Sequence, residues 1–333
     1  MKWQRGIWVV LLSSVVFWIV MLLGRMYLTA EPKEYRVVYI PKVLDEESDF
    51  WVQMREGIEM AASEGNARVS VAGAAVESDY ETQNRLLEQA VAEMPDAVIL
   101  CPSGYQETAE MAKKVTEAGI VLVVVDSELE GNPGGCLVAT DNIEAGRKQG
   151  EWLKSYLTDT DQIAVIAHER NASTAVDRLE GLKVGLGECS SQIATVCYSG
   201  SSYENAETVT EQLLRDQPEI TVIIGLNEYT TVGAAAAVKK LGVQDQVSMV
   251  GFDSSIAEIK LLEEGLLTAT VIQKPFVMGY SAMEEALLMI QGKAPDSSFI
   301  DSGSVLITVD NLYQTENQKL LFPFQQNYSK TRE

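Results

Sequence analysis

Short apolar runs rich in β-branched residues alternate with longer amphipathic stretches along most of this chain. Several of these runs, such as Ala97–Cys101 and Ile120–Val125, are apolar throughout instead of at every second position. That is typical of parallel strands that are covered on both faces. The alternation therefore predicts an α/β fold with parallel sheets. The predicted strands are Val37–Ile40, Val69–Ala72, Ala97–Cys101, Ile120–Val125, Ile163–Ala167, Ile193–Tyr198, Ile220–Gly225, Val247–Phe252 and Thr268–Ile272.

The stretches between these runs have the spacing of helices. In 50–64, Met54, Ile58 and Ala61 recur at helical intervals, and Glu59 falls on the other face. Glycines such as Gly242 stand where helices should end, as C-terminal capping glycines do. The predicted helices cover about 50–64, 80–93, 105–117, 142–157, 174–187, 204–215, 228–241, 255–264 and 275–291.

The number of strands bears on the domain organisation. A chain of 333 residues has room for two domains. About ten strands exceed the six of a single doubly wound sheet. We therefore predict two doubly wound, Rossmann-like lobes rather than one.

An uncharged apolar segment, residues 7–23, stands near the N-terminus, with Lys2 and Arg5 before it and Arg25 after it. About 17–20 helical residues span a hydrocarbon core of ~30 Å, and the flanking charges favour an N-terminus inside the cell. A cleaved signal peptide is the alternative, although Leu28-Thr29-Ala30 is a poor cleavage site. We expect residues 1–30 to form a single-pass membrane anchor, with everything from about residue 35 extracytoplasmic.

Composition and motifs exclude several classes of function. The net charge of −22 disfavours a nucleic-acid partner. The single histidine, His168, excludes a histidine-rich metal site, and it is expected to be a bystander near the rim of the cleft. Phosphate-binding glycine loops, a nucleophile elbow and a zincin motif are all missing from the sequence. We therefore expect no metal, no cofactor and no enzymatic activity, although a disulfide between Cys189 and Cys197 stays open.

Polar and aromatic residues follow the predicted strands, where open α/β sheets bind ligands. Carboxylates, amides and a guanidinium each offer paired hydrogen bonds to neighbouring hydroxyls, and aromatic rings pack against the face of a sugar. This set favours a neutral polyhydroxylated ligand. For several of these residues a purely structural role is the alternative to ligand binding. Asp49 could cap a helix, Trp51 could belong to the core, and Glu228 could be a charge at a helix N-terminus. The residues at the strand ends are Asp49, Phe50, Trp51, Asp126, Asp177, Arg178, Tyr203, Asn227, Glu228, Asp253 and Gln273.

Stretches from about residue 36 to 310 resemble type I periplasmic sugar-binding proteins of the ribose/galactose-binding class. The specific matches are D-R-x-x-G at 177–181, G-F-D at 251–253, and Gln273 followed by Pro275 and Gly279. Ser127 stands where ribose binders have an arginine, which puts ribose itself in doubt. The ligand contacts that the resemblance implies are Phe50, Trp51, Asp126, Arg178, Tyr203, Asn227, Asp253 and Gln273.

The resemblance also implies how the chain is divided. The N-terminal lobe would comprise 36–139 plus 274–301, and the C-terminal lobe 141–272 plus 302–325, followed by a tail at 326–333. Three hinge segments, near Ala139–Asp141, Gln273 and Ser302, would let the lobes close over the ligand.

Two roles for such a protein stay open. It would capture a monosaccharide or similar polyol and present it to an ABC permease, or it would act as a tethered sugar sensor that signals to a histidine kinase. Regulators of the lactose-repressor type share the lobes, but they carry a DNA-binding motif where this chain has its apolar segment. A sugar-active enzyme would need a pair of acid–base carboxylates, and none can be identified.

Overall fold

The computed structural model describes Trp18, Met21 and residues 33–295 and 297–321. The predicted membrane anchor at 7–23 lies almost entirely outside these residues, as does the tail at 326–333. Among the helices that are described, none combines the length and apolar character needed to cross a bilayer.

Twelve strands are present in the described part of the chain. They are β1 (Tyr35–Ile40), β2 (Ala67–Val71), β3 (Ala97–Leu100), β4 (Val121–Val125), β5 (Leu137–Ala139), β6 (Ile163–Ala167), β7 (Ile193–Tyr198), β8 (Val222–Gly225), β9 (Ser248–Phe252), β10 (Leu267–Ile272), β11 (Phe299–Asp301) and β12 (Val305–Ile307).

Ten α-helices fall between or after the strands over residues 33–321, apart from position 296. They are α1 (Asp49–Glu64), α2 (Tyr80–Glu93), α3 (Ala109–Glu117), α4 (Asn142–Lys154), α5 (Ser173–Leu186), α6 (Tyr203–Asp216), α7 (Glu228–Leu241), α8 (Ile256–Glu263), α9 (Pro275–Ile290) and α10 (Thr315–Leu321).

The strands form two six-stranded sheets of equivalent strand order, β2-β1-β3-β4-β5-β11 and β7-β6-β8-β9-β10-β12. The pairs β1–β3, β3–β4, β4–β5, β5–β11, β6–β7, β6–β8, β8–β9 and β9–β10 are parallel, whereas β10 and β12 are antiparallel. The first sheet and its helices form the first lobe, and the second sheet forms the second lobe. The predicted two-lobed α/β fold is confirmed. In both sheets the strand order reverses beside the first strand of the lobe, β1 or β6, where such folds bind ligands.

The chain passes between the lobes at three places. It crosses between β5 and α4, between β10 and α9, and between β11 and β12. Helix α9 thus returns to the first lobe, where it packs on α1: a Cβ added at Gly279 would lie 2.1 Å from Met54 O. Buried Val, Ile, Leu and Ala side chains between sheets and helices form the core of each lobe.

The closest helix contact in the second lobe joins α4 to α5. A Cβ on Gly146 would lie 2.2 Å from Arg178 O, and one on Gly181 would lie 2.0 Å from Ile143 O. Glycine is required at both positions because the two backbones approach too closely for any side chain. This contact fixes α5, and therefore Arg178, against the start of α4.

Candidate ligand-binding cleft

A cavity lies between the two lobes, beyond the carboxyl ends of both sheets. Its lining residues are Lys42, Ser48, Phe50, Trp51, Glu77, Asp126, His168, Thr174, Arg178, Asn227, Glu228, Tyr229, Asp253 and Gln273.

Seven of the eight ligand contacts expected from the sequence line this cavity, and Tyr203 does not. The Tyr203 hydroxyl donates to Glu228 Oε1 at 2.7 Å, and its ring lies 4.7 Å from that of Tyr229. Tyr229 therefore lines the cavity, with Tyr203 behind it. On the first lobe, Phe50 and Trp51 meet edge to face, with ring centroids 4.9 Å apart.

Two aspartates occupy equivalent positions in the lobes. Asp126 follows β4 and Asp253 follows β9, each the fourth strand of its sheet counted from the β2 or β7 edge. Both have positive φ, 67° and 86° respectively, a region that residues other than glycine rarely adopt. Their amides donate to Val138 O and Val271 O on the neighbouring strands. The two lobes thus bring carboxylates to the same cavity by the same local backbone geometry, and such strain is found at functional sites.

Asp126 forms a buried ion pair with Lys42, whose Nζ lies 2.7 Å from Asp126 Oδ2. Lys42 also donates to Ser127 Oγ, and the Cys101 thiol donates to the same carboxylate at 3.3 Å. Burial disfavours both charges, but each partner more than offsets this for the other. As a result the pKa of Asp126 lies below its ordinary value and that of Lys42 lies above.

Arg178 is the second buried cation of the cavity. Its Nε donates to Asn142 Oδ1 at 2.8 Å, and one terminal nitrogen donates to Leu226 O at 2.7 Å. The guanidinium lies 3.9 Å from the centre of the Phe252 ring, a cation–π contact. Burial lowers its pKa, and the nearby Asp253 carboxylate opposes this effect. Arginine stays protonated in proteins, so Arg178 brings a fixed charge with N–H groups left for a ligand.

Asp253 and Gln273 form a hydrogen-bonded pair on the second lobe. Gln273 Nε2 donates to Asp253 Oδ1 at 2.7 Å, while the other carboxylate oxygen accepts from the Glu228 amide at 3.0 Å. A carboxylate only accepts, so this bond fixes the amide of Gln273 with its Oε1 directed elsewhere. Nearby, Asn227 caps α7 through its own Oδ1, which leaves its NH₂ group as a donor.

Two glutamates bridge the lobes at this cavity. Glu228 Oε2 accepts from Ser48 Oγ at 2.9 Å, and Glu77 Oε2 accepts from Ser201 Oγ at 2.5 Å. Burial raises the pKa of Glu228 to about 7, and burial also raises that of Glu77. The first lobe is thus joined to the second directly at the site.

Further interlobe bonds surround the same region. The Tyr229 hydroxyl donates to Asp45 Oδ2 at 2.5 Å, and the Ile256 amide donates to Asp49 Oδ2 at 3.2 Å. Ser48, and not Asp49, is the N-cap residue of α1. Asp49 therefore does not act as the helix cap considered above, and its carboxylate instead joins the two lobes.

Several lining residues were not expected from the sequence. Lys42 stands two residues beyond β1, and reading the residues directly after that strand would have found it. Ser48, Glu77, Thr174 and Tyr229 come from loops or helix starts, for which strand-end position gives no signal. Glu228 both begins α7 and lines the cavity.

The expectation that His168 is a bystander near the rim is not met. Its side chain is buried and lines the cavity, because it directly follows β6 at the point where the strand order reverses. Cys189 and Cys197 both lie in the described part of the chain as thiols, and they are not bonded to each other. Among the described residues, no group of three or more potential ligands could hold a metal ion.

Comparison with known proteins decides the family. A model of the periplasmic binding protein domain matches residues 37–294, which is most of the chain. The chain belongs to the periplasmic binding protein family. This confirms the resemblance noted in the sequence and places the protein in a family that works outside the cytoplasm.

Solved structures and curated proteins agree with the family. A sugar transporter from Clostridium phytofermentans is 39% identical, with a TM-score of 0.78 over 83% of this chain and 99% of that one. An ABC transporter solute-binding protein from Agrobacterium vitis, solved with bound D-fucose, is 27% identical. Its TM-score is 0.81 over 86% of this chain and 100% of that one.

Among curated proteins, the D-ribose/D-allose-binding protein of Pseudomonas aeruginosa is 25% identical over 80% of this chain and 85% of its own length. These relatives are binding and transport proteins, not enzymes, and this periplasmic binding protein is likewise not an enzyme.

Proposed function

We propose that the protein captures a neutral monosaccharide in the cleft between its lobes and presents it to an ABC permease. The observation that carries this proposal is the paired arrangement of Asp126 with Lys42 and of Asp253 beside Arg178 around one cavity between the lobes. Charged groups held in fixed positions form strong hydrogen bonds to hydroxyls. The similarity to a D-ribose/D-allose-binding protein and to a D-fucose complex supports the same ligand class.

The charges of the cavity argue for a neutral sugar. Lys42 is paired with Asp126 and Arg178 lies near Asp253, so both cations of the lining already have acidic partners. A sugar acid or sugar phosphate would therefore have to bring its negative charge into a desolvated space without an unpaired cation of this lining to receive it. Phe50, Trp51 and Tyr229 add aromatic surface for the apolar face of a sugar ring.

Calorimetric titration with a panel of sugars tests the proposal. The panel holds D-ribose, D-allose, D-arabinose, D-fucose, D-galactose and D-glucose, with D-glucuronate and D-ribose 5-phosphate as charged controls. We expect one neutral sugar to bind and the charged ones not to bind. Binding of a charged control alone, or of no sugar at all, would contradict the proposal.

We also propose that residues 7–23 anchor the protein in the membrane and that the binding unit is extracytoplasmic. The uncharged apolar segment with basic residues before it supports this. The intact mass of protein extracted from membranes should include residues 1–30, and a mature start near Glu31 would indicate a cleaved signal peptide instead.

A permanent tether is also compatible with the second role, a sensor that reports sugar to a histidine kinase. Co-purification after mild cross-linking discriminates the two roles: an ABC permease subunit supports uptake, and a kinase supports sensing.

A further inference from the structure

The one histidine of the chain lies at the position in the second lobe that corresponds to the start of the ligand crevice. His168 directly follows β6, where the order of strands in the sheet reverses. Its side chain is 3% exposed and forms part of the cavity wall. This place in the fold puts an imidazole where ligands of doubly wound sheets bind.

The two ring nitrogens of His168 differ in their surroundings. Nε2 lies 2.9 Å from Thr174 Oγ1, which fixes the orientation of the ring. Nδ1 is buried and has no hydrogen-bond partner within the described part of the chain. Buried polar atoms are almost always hydrogen-bonded, so the unpartnered nitrogen of a residue that lines the cavity is accounted for if a bound ligand supplies the partner.

A second unpartnered atom supports the same conclusion. Gln273 Oε1 is also buried without a partner in the described residues, and the bond from Nε2 to Asp253 fixes its direction. Gln273 lines the same cavity, from the end of β10. The second lobe therefore presents two polar atoms that a ligand hydroxyl can satisfy.

The protonation state of His168 suits a hydroxyl. Burial, and after it the charges of Arg178 and Lys42, lower the pKa of His168 well below its ordinary value. The ring is therefore neutral near pH 7, with one N–H and one acceptor nitrogen. A neutral imidazole can form a hydrogen bond with a hydroxyl in either sense, and it adds no charge to the site.

We propose that His168, oriented by Thr174, contacts the bound sugar through Nδ1 and determines which sugars the cleft accepts. This inference rests on the proposed function, since it names a contact within the same cleft. A sugar that places a hydroxyl at Nδ1 gains a bond in a desolvated site. An epimer without a hydroxyl at this position leaves the nitrogen unpaired, and an unpaired buried polar group strongly disfavours binding of that epimer.

The single histidine makes a direct test possible. The full chain, produced with ¹⁵N-histidine and without a histidine tag, should give one pair of ring nitrogen resonances. It is titrated with D-ribose, D-allose, D-arabinose and D-fucose. We expect the sugar that binds tightest to shift the Nδ1 resonance more than the Nε2 resonance.

Two variants complete the test. His168→Leu should lower the affinity for the tightest-binding sugar by roughly tenfold, because one buried hydrogen bond is lost. It should also change the order of affinities in the panel. His168→Asn carries a polar group near the position of Nδ1 and should retain most of the affinity. If His168→Leu does not fold, the shifts of the ring nitrogen resonances in the wild-type protein still show whether the sugar contacts Nδ1.

The outcomes separate the two proposals. Binding that leaves Nδ1 unshifted at saturation, or a folded His168→Leu variant with affinities within about twofold and an unchanged order, would overturn the role of His168 alone. If none of the sugars in either panel binds the wild-type protein, the proposed function itself fails, and this inference fails with it.

Discussion

Glu228 should make the stability of the protein depend on pH in a measurable way. Its carboxylate is 5% exposed and accepts hydrogen bonds from Tyr203 and, across the lobes, from Ser48. Burial, followed by the charges of Asp253 and Asp49, raises its pKa from 4.5 to about 7. The folded protein therefore holds a proton on Glu228 between about pH 4.5 and 7 that the unfolded chain releases, so this contribution to stability is lost as the pH rises through that window.

The effect can be isolated with Glu228→Gln, which has nearly the same shape but does not titrate. A shift of one pKa unit corresponds to ~1.4 kcal/mol. Between pH 5 and pH 8 the free energy of unfolding of the variant should therefore rise by about 2–3 kcal/mol relative to that of the wild-type protein. One hydroxyl can still donate to its Oε1, and the other can rotate to accept from its Nε2. The assay is calorimetric unfolding of both proteins at each pH, with a shift in relative midpoint of several degrees expected.

The matched control for this experiment is Glu204→Gln, at an exposed position in the first turn of α6. Its stability relative to the wild-type protein should be the same at pH 5 and pH 8. The buried Glu77 and Glu258 also have raised pKa values, so only the difference between variant and wild type reports on Glu228. A difference for Glu228→Gln that does not change with pH would refute the reasoning.

Three further predictions follow from the structure. Arg178→Lys should weaken sugar binding by about 2–4 kcal/mol in calorimetric titration, because a compact ammonium lacks the extended fork with which the guanidinium reaches Asn142, Leu226 O and a ligand from separate nitrogens; unchanged affinity would remove Arg178 from the site. Gly181→Val should lower the unfolding midpoint strongly, because even its Cβ would lie 2.0 Å from a carbonyl oxygen of α4, and an unchanged midpoint would contradict the close packing. Under native conditions an alkylating reagent should modify the half-buried Cys189 and Cys197, and the two buried cysteines should react only after unfolding. The modifications are read as mass increments, and a Cys189–Cys197 disulfide would instead leave both of these residues unmodified.

The sequence was sufficient to predict the class of fold, because fully apolar strands and amphipathic helices leave few other arrangements. It did not reveal β5, β11 and β12, which have three residues each. Such short strands bury too few side chains for a periodic pattern. The antiparallel pairing of β12 with β10 depends on the last crossing between lobes, which no local pattern encodes.

Strand-end position predicted the aspartates of the site and Arg178, but it was less informative elsewhere. Tyr203 and Tyr229 are both aromatic residues near helix starts, and only packing in three dimensions decides which of them lines the cavity. Likewise, the sequence does not show that Glu77 and Ser201, 124 residues apart, meet across the lobes. The buried position of His168 in the cavity wall was not expected, because it depends on the strand order of the sheet, which is not visible in one sequence.

A sugar bound in this cleft should hold the two lobes together. Phe50, Trp51 and Asp126 belong to the first lobe, whereas Arg178, Asn227 and Asp253 belong to the second. A ligand that contacts both lobes favours their closed arrangement by its difference in affinity for the two states. Small-angle X-ray scattering with and without the tightest-binding sugar of the panel measures this closure. With the sugar, the radius of gyration and the maximum distance should both decrease; an unchanged scattering curve, with binding confirmed by calorimetry, would show that the sugar does not close the lobes.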